Sequence, residues 1–142
     1  MESTKNIYTQ LLEAQKDFPV IKKSETNPFF KKKYASLPSV LEVILPVLNK
    51  HGVFLGQSPI TEGEKIGVET ILTHAASNTA FSGSFVLQLA KNDPQGAGSA
   101  ITYARRYALV SMLGLNVDDD DDANEASIPH GVKLESEPTI RR

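Results

Sequence analysis

The residues with the most chemical potential in this 142-residue chain are cations set beside aromatic rings. Lys31, Lys32, Lys33 and Tyr34 follow Phe29 and Phe30, while Arg105 and Arg106 sit between Tyr103 and Tyr107. Single-stranded nucleic acid is held by that combination, because cationic groups take the phosphates while ring faces stack on bases. Arginine suits phosphate in particular, since its planar fork donates two hydrogen bonds at once. Each cluster also has a plainer reading. The first could be a solvated lysine run with Phe29 and Phe30 turned into the core, the second an amphipathic helix with salt-bridged arginines.

Other chemistries find less support. The run Asp118 to Asp122 could suggest metal-ion catalysis, but adjacent aspartates point in different directions, whereas nuclease carboxylates converge from rigid elements. A solvated acidic tail that competes with a polyanion is the simpler expectation. His51, His74 and His130 lack the spacing of a metal site or general-base dyad, so no catalytic residue, metal ligand or cofactor is expected. No Gly-x-Ser-x-Gly elbow occurs. The stretch from Pro94 to Ser99 lacks the Gly-Lys-Ser/Thr ending of a phosphate-binding loop, although free amides there could meet an anion at the start of a helix. Without cysteine there is no disulfide framework, thiolate nucleophile or cysteine-based zinc site, which fits a reducing cytoplasm. The longest apolar run, Val43 to Leu48, includes Pro46, and the first residues form no apolar signal core, so no membrane partner is expected.

Charge divides the chain. The net charge is −2, but residues 1–117 carry 12 Lys and Arg against 9 Asp and Glu, and residues 118–142 carry 3 against 8. A basic single-strand-binding domain over 1–117 and an acidic, disordered tail over 118–142 are expected. Within the basic part, no Lys or Arg lies between Lys65 and Lys91. Any nucleic-acid path must then follow the flanking loops and helices, with the middle of the chain as scaffold.

Local patterns name the elements that must position these groups. Ile7, Leu11, Ala14 and Phe18 recur at helical spacing behind Ser3 and Thr4, which predicts a helix over 4–17 ended by Pro19. Residues 22–34 have no period, hold five lysines against Glu25, and read as a basic loop. A second helix opens at Ser36 and Pro38, buries Val40, Ile44, Val47 and Leu48, is expected to kink at Pro46, and stops at Gly52. Strands are expected at 53–57, 66–74 and 81–89, with Phe81 and Phe85 in the core. Their short turns make an antiparallel meander. A third helix over about 99–113 buries Ile101, Ala104, Ala108, Leu109 and Met112 and is closed by Gly114. The expected fold is α+β: two N-terminal helices, a three-stranded antiparallel β-meander, and a following helix. The candidate DNA contacts are Lys22, Lys23, Lys31, Lys32, Lys33, Tyr34, Lys91, Gln95, Tyr103, Arg105, Arg106 and Tyr107.

Three stretches together resemble the essential recombination function (ERF) family of phage single-strand annealing proteins. They are Asn27-Pro28-Phe29-Phe30-Lys31-Lys32-Lys33-Tyr34-Ala35-Ser36-Leu37-Pro38-Ser39-Val40-Leu41, Pro46-Val47-Leu48-Asn49-Lys50-His51-Gly52, and Ile101-Thr102-Tyr103-Ala104-Arg105-Arg106-Tyr107-Ala108-Leu109 on to the aspartates. The resemblance implies coating of single-stranded DNA, ATP-independent pairing of complementary strands, and assembly into homo-oligomeric rings or filaments in the bacterial cytoplasm. It also implies a phage exonuclease or host single-strand binding protein as partner, and fold kinship with the eukaryotic strand-annealing proteins and phage Red beta. Family members commonly continue into a C-terminal region, whereas about twenty residues follow the aspartates here. Two alternatives stand beside annealing: a module that only protects single strands, and a metal-dependent nuclease using Asp118 to Asp122.

Overall fold

Capping and edge pairing, more than hydrophobic period, set where the elements of this chain begin and end. The computed structural model describes residues 5–23, 25–26 and 33–117, with residues 25, 26 and 33 described by backbone alone. Helix α1 spans Ile7–Asp17, and its cap is Asn6 rather than Ser3 or Thr4, which lie outside the described residues. Asn6 Oδ1 accepts the N–H groups of Tyr8 and Thr9 at 2.9 and 3.0 Å, and Thr9 Oγ1 accepts the Asn6 N–H at 2.9 Å. This reciprocal box satisfies the first free amides and starts the helix at Ile7, three residues later than a cap at Ser3 would.

Part of the expected loop is ordered by pairing. Strand β1, Glu25–Thr26, pairs antiparallel with strand β2, Lys33–Tyr34, so a two-residue ladder closes the base of the basic segment. Helix α2, Leu37–Lys50, opens on Ser36, whose Oγ accepts the Ser39 N–H at 3.2 Å, and it runs without interruption through Pro46. Val40, Ile44 and Leu48 are buried along one face.

The three long strands are β3, Val53–Glu62, β4, Lys65–His74, and β5, Thr79–Gln88, in the antiparallel order β3-β4-β5. β3 outlasts the expected 53–57 because it is an edge strand, where Pro59 can sit opposite Val68 without breaking an inner ladder. Leu55, Leu72 and Phe81 share one register row, as do Val68 and Phe85 in the next part of the sheet. These residues face the helices, and Val53 and Leu72 join Ile7, Ile44 and Leu48 in the main core. Phe81 packs on that cluster and Phe85 on a second one.

Helix α3 runs Pro94–Leu113, five residues ahead of its expected start. Asp93 Oδ1 caps it by accepting the Gly96 N–H at 2.7 Å, and Pro94 lies in the first turn, where its missing N–H costs nothing. Gly114, at φ +65°, closes the helix, and Gln15 Nε2 donates to the Leu113 carbonyl at 3.0 Å. Ala100, Ala104 and Ala108 form a small-residue stripe on the buried face of α3, with Ala104 and Ala108 packed beside Val68, Phe85 and Leu87. Beyond the helix, the Ile21 N–H donates to the Asn116 carbonyl at 2.9 Å and Ile21 pairs in parallel with Val117. No helix among the described residues is long and apolar enough to cross a membrane.

Candidate nucleic-acid interface

Burial of Ala100, Ala104 and Ala108 fixes which side chains α3 turns outward. Because each residue advances about 100° around a helix, Tyr103, Arg106 and Tyr107 share one flank of α3, with Tyr107 next to the alanine stripe and Arg106 turned furthest from it, while Arg105 falls on the opposite flank. Tyr34, placed by the β1–β2 ladder and by burial of Ala35 and Leu37 just after it, approaches this face from outside the helix. The Arg106 guanidinium carbon lies 5.0 Å from the Tyr34 ring centre and 5.6 Å from those of both Tyr103 and Tyr107. Tyr103 and Tyr107 meet edge to face with centres 4.5 Å apart, and Tyr107 leans on Phe85 at 6.2 Å.

Tyr103 and Tyr107 remain 40% and 43% exposed, so their rings are open to a ligand while their positions are held. A side-chain hydrogen bond with Tyr107 and then partial burial push the Tyr103 phenol above its ordinary value, while the Arg106 charge opposes the shift. Tyr103 therefore stays a neutral donor through the physiological range. No carboxylate among the described residues is within ion-pairing distance of Arg106. Its charge is presented on a platform of rings.

Arg105 points elsewhere. Its Nε donates to Gln57 Oε1 at 3.0 Å, and Gln57 Nε2 donates back to the Arg105 carbonyl at 3.2 Å and to Thr70 Oγ1 at 2.9 Å. Thr70 is fully buried, so this bracket anchors the middle of α3 to β3 and β4. The two adjacent arginines thus have different work: one braces the helix against the sheet, and the other crowns a tyrosine cluster.

With this geometry in place, the match to known proteins covers nearly the whole chain: a family model described as the ERF superfamily matches residues 7–139. This chain belongs to the ERF superfamily. It is also similar to the Essential recombination function protein of Salmonella phage P22, at 29% identity over 129 residues, which are 86% of this chain. The chain spans 62% of the length of that relative. No solved structure matches it.

The remaining candidate contacts of this ERF chain are spread over three places. Lys91, Gln95 and Tyr103 meet in a groove of about 380 Å³ between the end of β5 and the first turns of α3. Lys22 is exposed and Lys23 half-buried, directly after the Ile21–Val117 bridge. Lys33 is described only as a backbone partner of Thr26, and Lys31, Lys32 and Asp118 to Asp122 lie outside the described residues. The idea that free amides before α3 hold an anion is corrected, since Pro94 to Ser99 are already helical and the Asp93 carboxylate sits at that helix end. Among the described residues, no three His, Asp or Glu side chains gather as a metal site. His51 pairs with Asp17 at 2.9 Å and His74 with Ser77 at 2.7 Å.

Gln57, outside the candidate contacts, is the residue that ties Arg105 to the sheet. It follows Val53 and Leu55 on the inward side of an alternating strand, and a polar residue at such a position signals a buried partner.

Proposed function

We propose that this chain is a phage recombination protein that binds single-stranded DNA and pairs complementary strands without ATP. The observation that carries the reading is the Arg106 guanidinium set among Tyr34, Tyr103 and Tyr107 with no carboxylate partner among the described residues. Membership of the ERF superfamily, and the name of the phage P22 relative, support the recombination role. Annealing needs phosphates gripped and base edges left free to pair, and a guanidinium over rings grips without reading sequence. No catalytic group is required. One 15.5 kDa subunit offers few contacts, so a homo-oligomer that lines up repeated sites gains affinity through linkage.

The test is annealing of complementary oligonucleotides by wild type and Arg106→Ala, without ATP, with and without magnesium. Accelerated pairing by wild type and its loss in the folded variant are expected. Binding without pairing would reduce the protein to a protecting module. Magnesium-dependent cleavage would make it a nuclease and overturn the proposal.

A further inference from the structure

The groove beside the tyrosine cluster has a shape and lining that the phosphate-gripping role does not use. It is lined by Leu87, Ala90, Lys91, Gln95, Ser99 and Tyr103, among others, and none of its lining residues is acidic. We propose that this groove takes one unpaired nucleobase of the bound strand, and that this is how the protein tells single-stranded DNA from duplex. The inference rests on the single-strand reading above and assigns it a base-binding site.

Four observations point to this occupant. The volume, about 380 Å³, lies near the small end of ligand clefts, the scale of a single nucleoside. Leu87 and Ala90 give an apolar bed for a flat ring, and the Gln95 carboxamide offers both a donor and an acceptor, which suits the edge of any base. Lys91 stands at the same groove as a point charge for the adjoining phosphate. Tyr103 belongs to both places, lining the groove and lying 5.6 Å from the Arg106 guanidinium. A strand with its phosphate on Arg106 can therefore lay the attached base past the Tyr103 ring.

One end of the groove is closely packed. A Cβ at Gly96 would overlap the Lys91 carbonyl oxygen, so the first turn of α3 and the segment after β5 are pressed together at one end of the groove. The Gly96 amide there is spent on Asp93, which leaves base and side-chain contacts, not a helix-end anion site, to define the ligand. In a duplex every base is paired and stacked, and entry would require its extraction. The groove contact is lost when a complementary strand arrives, so the annealed product binds more weakly than the single strand.

The experiment uses the full chain, an oligo-dT carrying one 2-aminopurine, and the matching duplex. Ser99→Phe fills the groove from an exposed helix position, and Gln95→Ala removes its carboxamide with little steric change. Wild type should change the 2-aminopurine emission and prefer single strand to duplex. Ser99→Phe should abolish the emission change and cut that preference about tenfold, the order of one stacked base, while its salt dependence stays that of wild type. Gln95→Ala should give the same change in smaller measure. Either variant, folded by circular dichroism, that keeps both the emission change and the preference would overturn the inference. Single-strand binding by wild type with unaltered emission and no preference over duplex would overturn it while leaving the single-strand reading intact. Failure of wild type to bind single strands at all would overturn both.

Discussion

Two charged regions of this molecule are built in opposite ways. At the corner where α1 and α2 end, Asp17 lies 2.9 Å from His51 Nε2 and 3.6 Å from Lys50 Nζ, so the Lys50 ammonium and the His51 ring both meet a carboxylate of the same chain. On the outer face of α3, Arg106 meets three rings and no carboxylate among the described residues. The first arrangement closes on itself and braces two helices. The second is complete in shape and incomplete in charge, which is the condition for an anionic ligand to add free energy. The same contrast recurs within one dipeptide, because Arg105 is spent on Gln57 while its neighbour is not.

The comparison breaks most sharply at Arg106. Arg106→Ala should lower affinity for a mixed-sequence single strand about tenfold, equivalent to about 1.4 kcal/mol, with little change in thermal stability, by fluorescence anisotropy and melting curves. Arg106→Lys should recover only part of the loss, because an ammonium lacks the planar face that stacks on the rings. An Arg106→Ala protein that binds as wild type but melts far lower would place Arg106 with the bracing charges.

A second prediction concerns the acidic segment. The Ile21–Val117 pairing sets the residue before Asp118 beside the residue before Lys22. Removing 118–142 takes the net charge from −2 to +3 and should tighten single-strand binding several-fold at low salt, the advantage fading as salt screens it. Equal affinities at low salt would refute an internal competitor.

Smaller effects belong to the bracing groups. Gln57→Ala removes the bonds to Arg105 and to buried Thr70 and should cost about 1–2 kcal/mol in urea unfolding, with single-strand affinity changed less than by Arg106→Ala. Smallest is Asp17→Asn. The hydrogen bond from His51, followed by the Lys50 charge, holds the Asp17 carboxyl below its ordinary value of 3.8. A depressed carboxyl stabilises the fold above that ordinary value and loses its contribution as pH falls through the lowered one. Wild type should therefore exceed Asp17→Asn slightly in urea midpoint at pH 5, and the two should converge in stronger acid. Divergence on acidification would reverse the assigned sign.

Much of the fold was legible because its signals are local. Ser36 and Gly52 mark α2, alternation through Ile66, Val68, Thr70 and Leu72 marks β4, and Gly114 marks the end of α3. The starts of α1 and α3 were not legible, because they are decided by which side chain reaches the free amides, Asn6 with Thr9 in one case and Asp93 in the other. β3 ran past Pro59 because edge strands tolerate a missing donor, a fact about neighbours that no single strand carries. At the site, the shared face of Tyr103 and Tyr107 follows from their spacing. The approach of Tyr34 to Arg106 and of Gln57 to Arg105 depends on tertiary folding, and only that separates the two arginines.

The central claim, that Arg106 on its tyrosine platform contacts the phosphates of a single strand, is tested most directly by the salt dependence of oligo-dT affinity in wild type and Arg106→Ala. Roughly four phosphate contacts per subunit, at about −0.7 each, give an expected log–log slope near −3 for wild type, and the variant should be shallower by about 0.7. A salt-independent wild-type affinity, or a folded Arg106→Ala protein with the wild-type slope and affinity, would contradict the claim.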